Sequence, residues 1–348
     1  MIRLRIGRVL LLPYALVMLA ATVAAQNVTF PPVPLDPYNA KLAFTTDERT
    51  LHIIGHKDQH VRAITYNAAT GAILHTVNLP PGTQVVSITS DGRTAIVATS
   101  ISADHMRFSV LDTESGETED IPATWYDPND EAEAAISGDG RLISIYSESG
   151  TDEKPLVVSV YAWPARTLIA RQTSEYTNAG GGFGGGITVD GKAVEFISSR
   201  SGSTLVELKT GRPMASFGPD SVRSPDGRWV VELPSQSLDA DSSPPQILIS
   251  NGADGKTHGK IDARIAEDEE NGQLTGAFCG VTGRFILAGG HRLEAYAIPS
   301  GKLLATFPLN TWRDPNAGDP GSISVACSST GKRVAVLSGT RLTLHDLK

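Results

Sequence analysis

Residues 86–100 read VSITSDGRTAIVATS: a short apolar run, the turn Ser-Asp-Gly-Arg, and a second apolar run. Val, Ile, Thr and Ala alternate with smaller or polar residues on both sides, the pattern of half-buried strands. Gly92 supplies the positive φ that a tight hairpin needs, and Asp91 can bond back to the local backbone. The stretch is therefore a β-hairpin. It recurs as LAFTTDERTLHIIG (42–55), AAISGDGRLISIYS (134–147), GITVDGKAVEFIS (186–198), SVRSPDGRWVVELP (221–234), AFCGVTGRFILAGG (277–290) and VACSSTGKRVAVLSG (325–339).

Seven copies align on one column: Glu48, Gly92, Gly140, Gly191, Gly227, Gly283 and Gly331, at spacings of 44, 48, 51, 36, 56 and 48 residues. A period of this length is that of a four-stranded propeller blade. A second turn follows most copies, at Gly71, Gly116, Gly211, Gly255 and Gly301, and joins a third strand to a fourth. The third copy has Pro164-Ala165-Arg166 there instead. The fold expected is all-β: a seven-bladed β-propeller of four-stranded antiparallel blades. The last copy ends after its third strand, so Asn27–Phe30 is expected to pair with Arg341–Asp346 and close the ring, removing open sheet edges.

The residue four before the turn glycine is Phe44, Ile88, Ile136, Ile187, Arg223, Cys279 or Cys327. Six suit burial between blades. Arg223 requires either a bulge that turns Val222 inward or a carboxylate partner, and the bulge is the expectation. The two cysteines are expected as buried thiols, because packed sheets lie about 10 Å apart and a disulfide needs Cα atoms within about 7 Å. A disulfide is the alternative.

The chain of 348 residues begins MIRLRIGRVLLLPYALVMLAATVAAQ. Arg3, Arg5 and Arg8 precede an apolar run that ends in Val23-Ala24-Ala25, so residues 1–25 read as a cleaved secretory signal and 26–348 as one propeller domain. The expected location is the periplasm or the exterior. The net charge is −8, and about −11 without the signal. Nucleic acid is a poor partner for such a chain, and no later stretch is apolar enough to insert in a membrane.

The S-x-D-G-R and T-G-K turns resemble those of secreted bacterial seven-bladed propellers of the WD-repeat-like and YVTN-like type, along the whole mature chain. Asp112 and Asp346 stand near the Asp of the WD signature, without its Trp. The resemblance implies the fold, whereas propellers host enzymes, scaffolds and ligand binders alike.

Candidate site residues come from the loops joining blades. Thr124-Trp125-Tyr126-Asp127-Pro128-Asn129 and Thr311-Trp312-Arg313-Asp314-Pro315-Asn316 resemble each other, and Asp36-Pro37-Tyr38-Asn39 is a partial version. Trp125, Tyr126, Asp127, Trp312, Arg313 and Asp314 read as a binding rim for a protein or small ligand, or as Asp-Pro turns with a Trp folded onto the rim. Asp130, Glu131, Glu133 and Glu267–Glu270 make this mouth acidic, so a divalent cation is possible, though no cofactor is expected. His56 and His60 are the one histidine pair near enough to share an ion.

The stretch NAGGGFGGGITVDG (178–191) contains a G-x-G-x-x-G spacing, but a hairpin follows it where a dinucleotide site needs a helix. Gly184, Gly185 and Gly186 instead leave the inner strand of blade 4 bare. Either a widened channel or a neighbouring loop, such as the one bearing Trp125, fills that space. No nucleophile elbow is present. The function expected is an exported, non-enzymatic binding platform that works as a monomer. The alternative is a lactonase-like or dehydrogenase-subunit-like enzyme using the mouth carboxylates.

Overall fold

Five-residue connections punctuate the chain seven times, at 45–49, 89–93, 137–141, 188–192, 224–228, 279–283 and 328–332, each between a first and a second strand. The computed structural model describes residues 28–35, 40–57, 60–102, 105–126, 131–148, 155–177, 183–198, 202–218, 220–233, 247–262, 274–280, 283–289, 292–309 and 323–347. The signal segment thus lies outside the described residues. So do Asp127, the acidic run Glu267–Glu270, and Trp312, Arg313 and Asp314.

Blade 1 comprises β1 (Lys41–Phe44), β2 (Thr50–Lys57), β3 (His60–Asn67) and β4 (Ile73–Pro81); blade 2 comprises β5 (Thr83–Ile88), β6 (Thr94–Ser102), β7 (His105–Asp112) and β8 (Thr118–Asp120). Blade 3 has β9 (Glu131–Ile136), β10 (Leu142–Glu148), β11 (Pro155–Ala162) and β12 (Thr167–Thr177); blade 4 has β13 (Phe183–Ile187), β14 (Ala193–Ser198), β15 (Gly202–Glu207) and β16 (Pro213–Phe217). Blade 5 has β17 (Ser221–Arg223), β18 (Trp229–Glu232), β19 (Ile247–Asn251) and β20 (Thr257–Ile261); blade 6 has β21 (Thr275–Phe278), β22 (Arg284–Gly289), β23 (Arg292–Ala297) and β24 (Lys302–Pro308). Blade 7 has β25 (Ile323–Cys327), β26 (Arg333–Ser338) and β27 (Arg341–Asp346). Each sheet is an antiparallel meander in chain order, with four strands in six blades and three in the seventh among the described residues.

The repeat turn shows why its residue types recur. In the first five copies a Ser or Thr hydroxyl (Thr45, Thr89, Ser137, Thr188, Ser224) donates to the Asp carboxylate two residues on, at 2.6–2.8 Å. The same carboxylate accepts the amide two residues further, at 3.1–3.2 Å. The hydroxyl also accepts an amide from the start of the second strand, as from Leu142 to Ser137 at 3.0 Å. Each turn thereby satisfies polar groups that close packing would otherwise strand.

Apolar residues of neighbouring blades form the core. Blade 3 meets blade 4 through Tyr146, Val158, Ile187 and Phe196, and blade 7 meets blade 1 through Ala335, Leu337, Leu342, Phe44, Leu51 and Ile53.

Three expectations need correction. Asn27 lies outside the described residues, and Val28–Phe30 forms no strand with Arg341–Asp346. The segment instead ties blades 7 and 1 by packing: Phe30 lies edge-to-face on Tyr66 at 5.6 Å, and the Val33 amide donates to the Thr340 carbonyl at 2.7 Å.

The cysteines are bonded, Cys279 to Cys327, with Cα atoms 4.8 Å apart. The 10 Å spacing describes parallel-faced sheets, whereas blades splay outward from an axis and their innermost strands converge. Both cysteines sit at the ends of innermost strands.

Arg223 causes no bulge. Its strand pairs in continuous register, with Val222 opposite Val231 and Arg223 opposite Val230. The guanidinium meets the Asp190 carboxylate of blade 4 at 4.0 Å and donates to the Gly252 carbonyl at 3.1 Å.

Candidate functional site

Antiparallel meanders put alternate connections on opposite faces. Every connection between a first and a second strand has five residues, and those between a third and a fourth have four or five. The other face is irregular. Its connections range from Gly82 alone, between β4 and β5, to residues 309–322 between β24 and β25 and 233–246 between β18 and β19. Uniform turns are what the blade itself requires, whereas loops free to vary on a rigid scaffold are where binding residues concentrate.

Trp125 and Tyr126 belong to the connection between blades 2 and 3. The outer strand β8 stops at Asp120, and a short 3-10 turn (Ala123–Trp125) folds the chain back between the blades. Trp125 stacks on Tyr161 of β11 with ring centroids 3.7 Å apart, and it meets Trp163 edge-on at 6.5 Å. Tyr126 is buried against Phe108 at 5.2 Å, and its hydroxyl accepts the Phe108 amide at 3.4 Å. These rings take up the space left by the three-residue β8, and Trp125 keeps a partly exposed edge. Trp125 lies over the third strand of blade 3, so it does not cover the bare strand of blade 4.

Gly184, Gly185 and Gly186 lie in β13, opposite Ile197, Phe196 and Glu195 of β14. A Cβ on Gly186 would meet the Ala135 Cβ at 3.5 Å, an ordinary contact, so lack of space does not demand glycine there.

The histidine pair does not form a site. His56 stands opposite Val61 and Lys57 opposite His60, so His56 and His60 point to opposite faces of their sheet. Among the described residues no group of three His, Cys, Asp or Glu side chains could hold a metal ion.

Several polar centres lie outside the residues read as a site from sequence, although a carboxylate partner for Arg223 was the alternative to a bulge. Arg223, Asp190, Glu195 and Ser203 form a buried charged patch between blades 4 and 5. Burial pushes the Glu195 pKa up against the opposing effects of Ser203 and Arg223, and burial lowers that of Arg223 against the pull of Asp190 and Glu195. His52 is buried between blades 1 and 2, where burial lowers its pKa; its Nδ1 lies 3.0 Å from the Thr65 hydroxyl.

Glu48 and Arg166 are the non-glycine residues with positive φ among the described residues, at 58° and 57°. Each occupies a glycine position of its repeat, and each reaches the preceding blade with its side chain. Arg166 of blade 3 pairs with Glu119 of blade 2. The Glu48 carboxylate of blade 1 accepts the Thr330 amide at 2.6 Å and the Thr330 and Ser329 hydroxyls at 3.1 Å, all from blade 7. Burial works to raise the Glu48 pKa, but these hydrogen bonds outweigh it and hold the carboxyl below its ordinary range. The sequence signal was the Glu in a glycine column.

No family profile matches the chain, and no curated protein is similar to it in sequence. Solved structures do resemble it. The β-propeller domain of Cps50 (Swd1) from Myceliophteria thermophila aligns with a TM-score of 0.55 at 10% identity, covering 93% of this chain and 99% of that one. A chain of Kuenenia stuttgartiensis hydrazine synthase aligns with a TM-score of 0.58 at 15% identity, covering 93% and 98%. At these identities the likeness is one of fold, and the chain is a seven-bladed β-propeller.

Proposed function

We propose that this chain is an exported, non-enzymatic β-propeller that binds a protein or small-molecule ligand on the face bearing its irregular loops. The observation that carries the reading is the contrast between the two faces. One repeats the same five-residue turn seven times, and the other spans connections of one to fourteen residues. A rigid ring with one variable face is a scaffold for recognition. Trp125, Tyr126, Asp127, Trp312, Arg313, Asp314 and Gly184–Gly186 are the residues proposed to contribute. Export is supported by the signal-like residues 1–25 and by the Cys279–Cys327 bond, which an oxidising compartment sustains.

The test is partner capture from the native extracellular or periplasmic fraction by the purified protein, compared with a variant whose residues 310–322 are replaced by a short Gly-Ser link. Loss of a captured partner or ligand in that variant, with an unchanged melting temperature, supports the reading. Equal capture by that variant and by W125A/W312A refutes it.

The second reading is a lactonase-like or dehydrogenase-subunit-like enzyme that uses Asp130, Glu131, Glu133 and Glu267–Glu270 with a divalent ion. The structural likeness to a chain of Kuenenia stuttgartiensis hydrazine synthase supports this reading. Metal analysis of the purified protein separates the readings: a stoichiometric divalent ion favours the enzyme.

A further inference from the structure

Blade 7 shows three strands among the described residues, and one face of β27 borders an opening. Arg341, Thr343 and His345 alternate along β27 and share a face, opposite Ser338, Val336 and Val334 of β26. That face turns towards blade 6. The other face of β27 is sealed: Leu342 is buried, and with partly buried Leu344 it packs in the cluster containing Phe30 and Val33. Between the first face and blade 6 there is a cavity of about 100 Å³, bounded on the blade 6 side by Pro308 and Leu309.

Its chemistry is divided. Leu309 and Val336 are buried and give an apolar floor. Arg341 is exposed at the lip, and among the described residues no carboxylate lies within ion-pair range of it. The Thr343 hydroxyl donates to the Val336 carbonyl over 3.4 Å and lies 3.2 Å from His345 Nε2. The longer bond is weak enough for the hydroxyl to turn to a better acceptor. His345 is held against Phe307, with centroids 5.6 Å apart, and forms a fixed wall.

A guanidinium and a hydroxyl above an apolar floor match a planar carboxylate carrying a short hydrocarbon tail. Arg forks pair with carboxylates in a planar, two-pronged geometry. The volume limits the guest: an engineered cavity of about 150 Å³ admits benzene, so this one takes on the order of five non-hydrogen atoms. We propose that the cavity between β24 and β27 binds a small monocarboxylic acid, its carboxylate on Arg341 and Thr343 and its alkyl part on Leu309 and Val336. The proposal does not rest on the platform reading, although Leu309, Ser338 and Arg341 flank connections of the irregular face.

The experiment is an isothermal or NMR titration of the full mature chain with sodium propionate. Propionamide serves as the neutral isostere and inorganic phosphate as the general anion. Saturable propionate binding is expected with a Kd on the order of 1 mM, the scale open to so few atoms. R341Q should weaken it at least tenfold and T343V several-fold, with melting temperatures unchanged because both residues are at or near the surface of β27. Propionamide should not compete. The proposal is overturned by a lack of saturation with propionate, by equal binding of propionamide or phosphate, or by unchanged affinity in a folded R341Q variant. A C-terminal tripeptide ending in alanine extends the test. Its binding more tightly than propionate would assign the cavity to a chain terminus and overturn the small-acid assignment.

Discussion

Replacing Glu48 separates two effects that the structure superimposes at the blade 7–blade 1 junction. Glu48 has φ of 58°, a left-handed backbone that costs a non-glycine residue about 1–2 kcal/mol. Its carboxylate accepts three hydrogen bonds from Ser329 and Thr330, and its carbonyl accepts the Arg333 guanidinium at 3.0 Å. The residue is 8% exposed, so solvent screens these bonds little. Bonds to a charged group contribute about 1.5–3 kcal/mol each, less than additively when they share one carboxylate. E48A keeps the strained backbone and loses the side-chain clasp, so its expected cost is about 2–4 kcal/mol. E48G loses the clasp but relieves the strain, and should cost about 1 kcal/mol less than E48A. E48Q keeps the shape without the charge and should fall between wild type and E48A. Denaturant midpoints at neutral pH give the order. The pH dependence has a definite sign. Hydrogen bonding holds the folded pKa below the ordinary value of 4.5, so the contribution is complete above that value. It is lost as pH falls through the folded pKa. The gap between wild type and E48Q should therefore close in acid. If E48A equals wild type in stability at neutral pH, the clasp adds nothing and the argument fails.

Four further outcomes are expected. The unfolded protein without reductant should show no free thiol. Replacing both Cys279 and Cys327 with Ser should lower stability by about 2–4 kcal/mol, because the bond closes a loop spanning a sequence separation of 48; equal midpoints would contradict this. Y66F should be neutral or stabilise by up to about 1 kcal/mol, since the buried Tyr66 hydroxyl has no hydrogen-bond partner among the described residues and its pKa is pushed up to about 12 by burial. R223M, which removes the guanidinium between Asp190 and Glu195, should cost about 1–3 kcal/mol, since Asp190 keeps its bonds from Thr188 and Lys192. E195Q should cost little at neutral pH and flatten a pH dependence. The Glu195 pKa is raised, so its contribution is present below 4.5 and lost as pH rises through the folded value. A large loss in E195Q at pH 7 would show that the ionised form is needed.

The repeat determined the architecture because each turn is local. Thr89 and Asp91 make their side-chain bonds within six residues, so the same letters produce the same hairpin wherever they occur. Seven such hairpins at blade spacing leave the chain few options besides a ring. What lies between blades depends on residues far apart in sequence, and the repeat does not encode it. The sequence showed that Arg223 was a misfit and Glu48 a substitution in a glycine column. Only the packed ring showed that Asp190 of blade 4 meets Arg223 of blade 5, and that Thr330 of blade 7 reaches Glu48 of blade 1. The cysteines followed the same rule. Their column was legible, but their 4.8 Å approach came from the convergence of inner strands towards an axis, a property of the whole ring. The tryptophan of the loop between blades 2 and 3 looked like a rim residue by composition. Its stacking on Tyr161 belongs to the packing of blade 2 against blade 3, which joins residues 36 apart in sequence and which the loop's own letters do not encode.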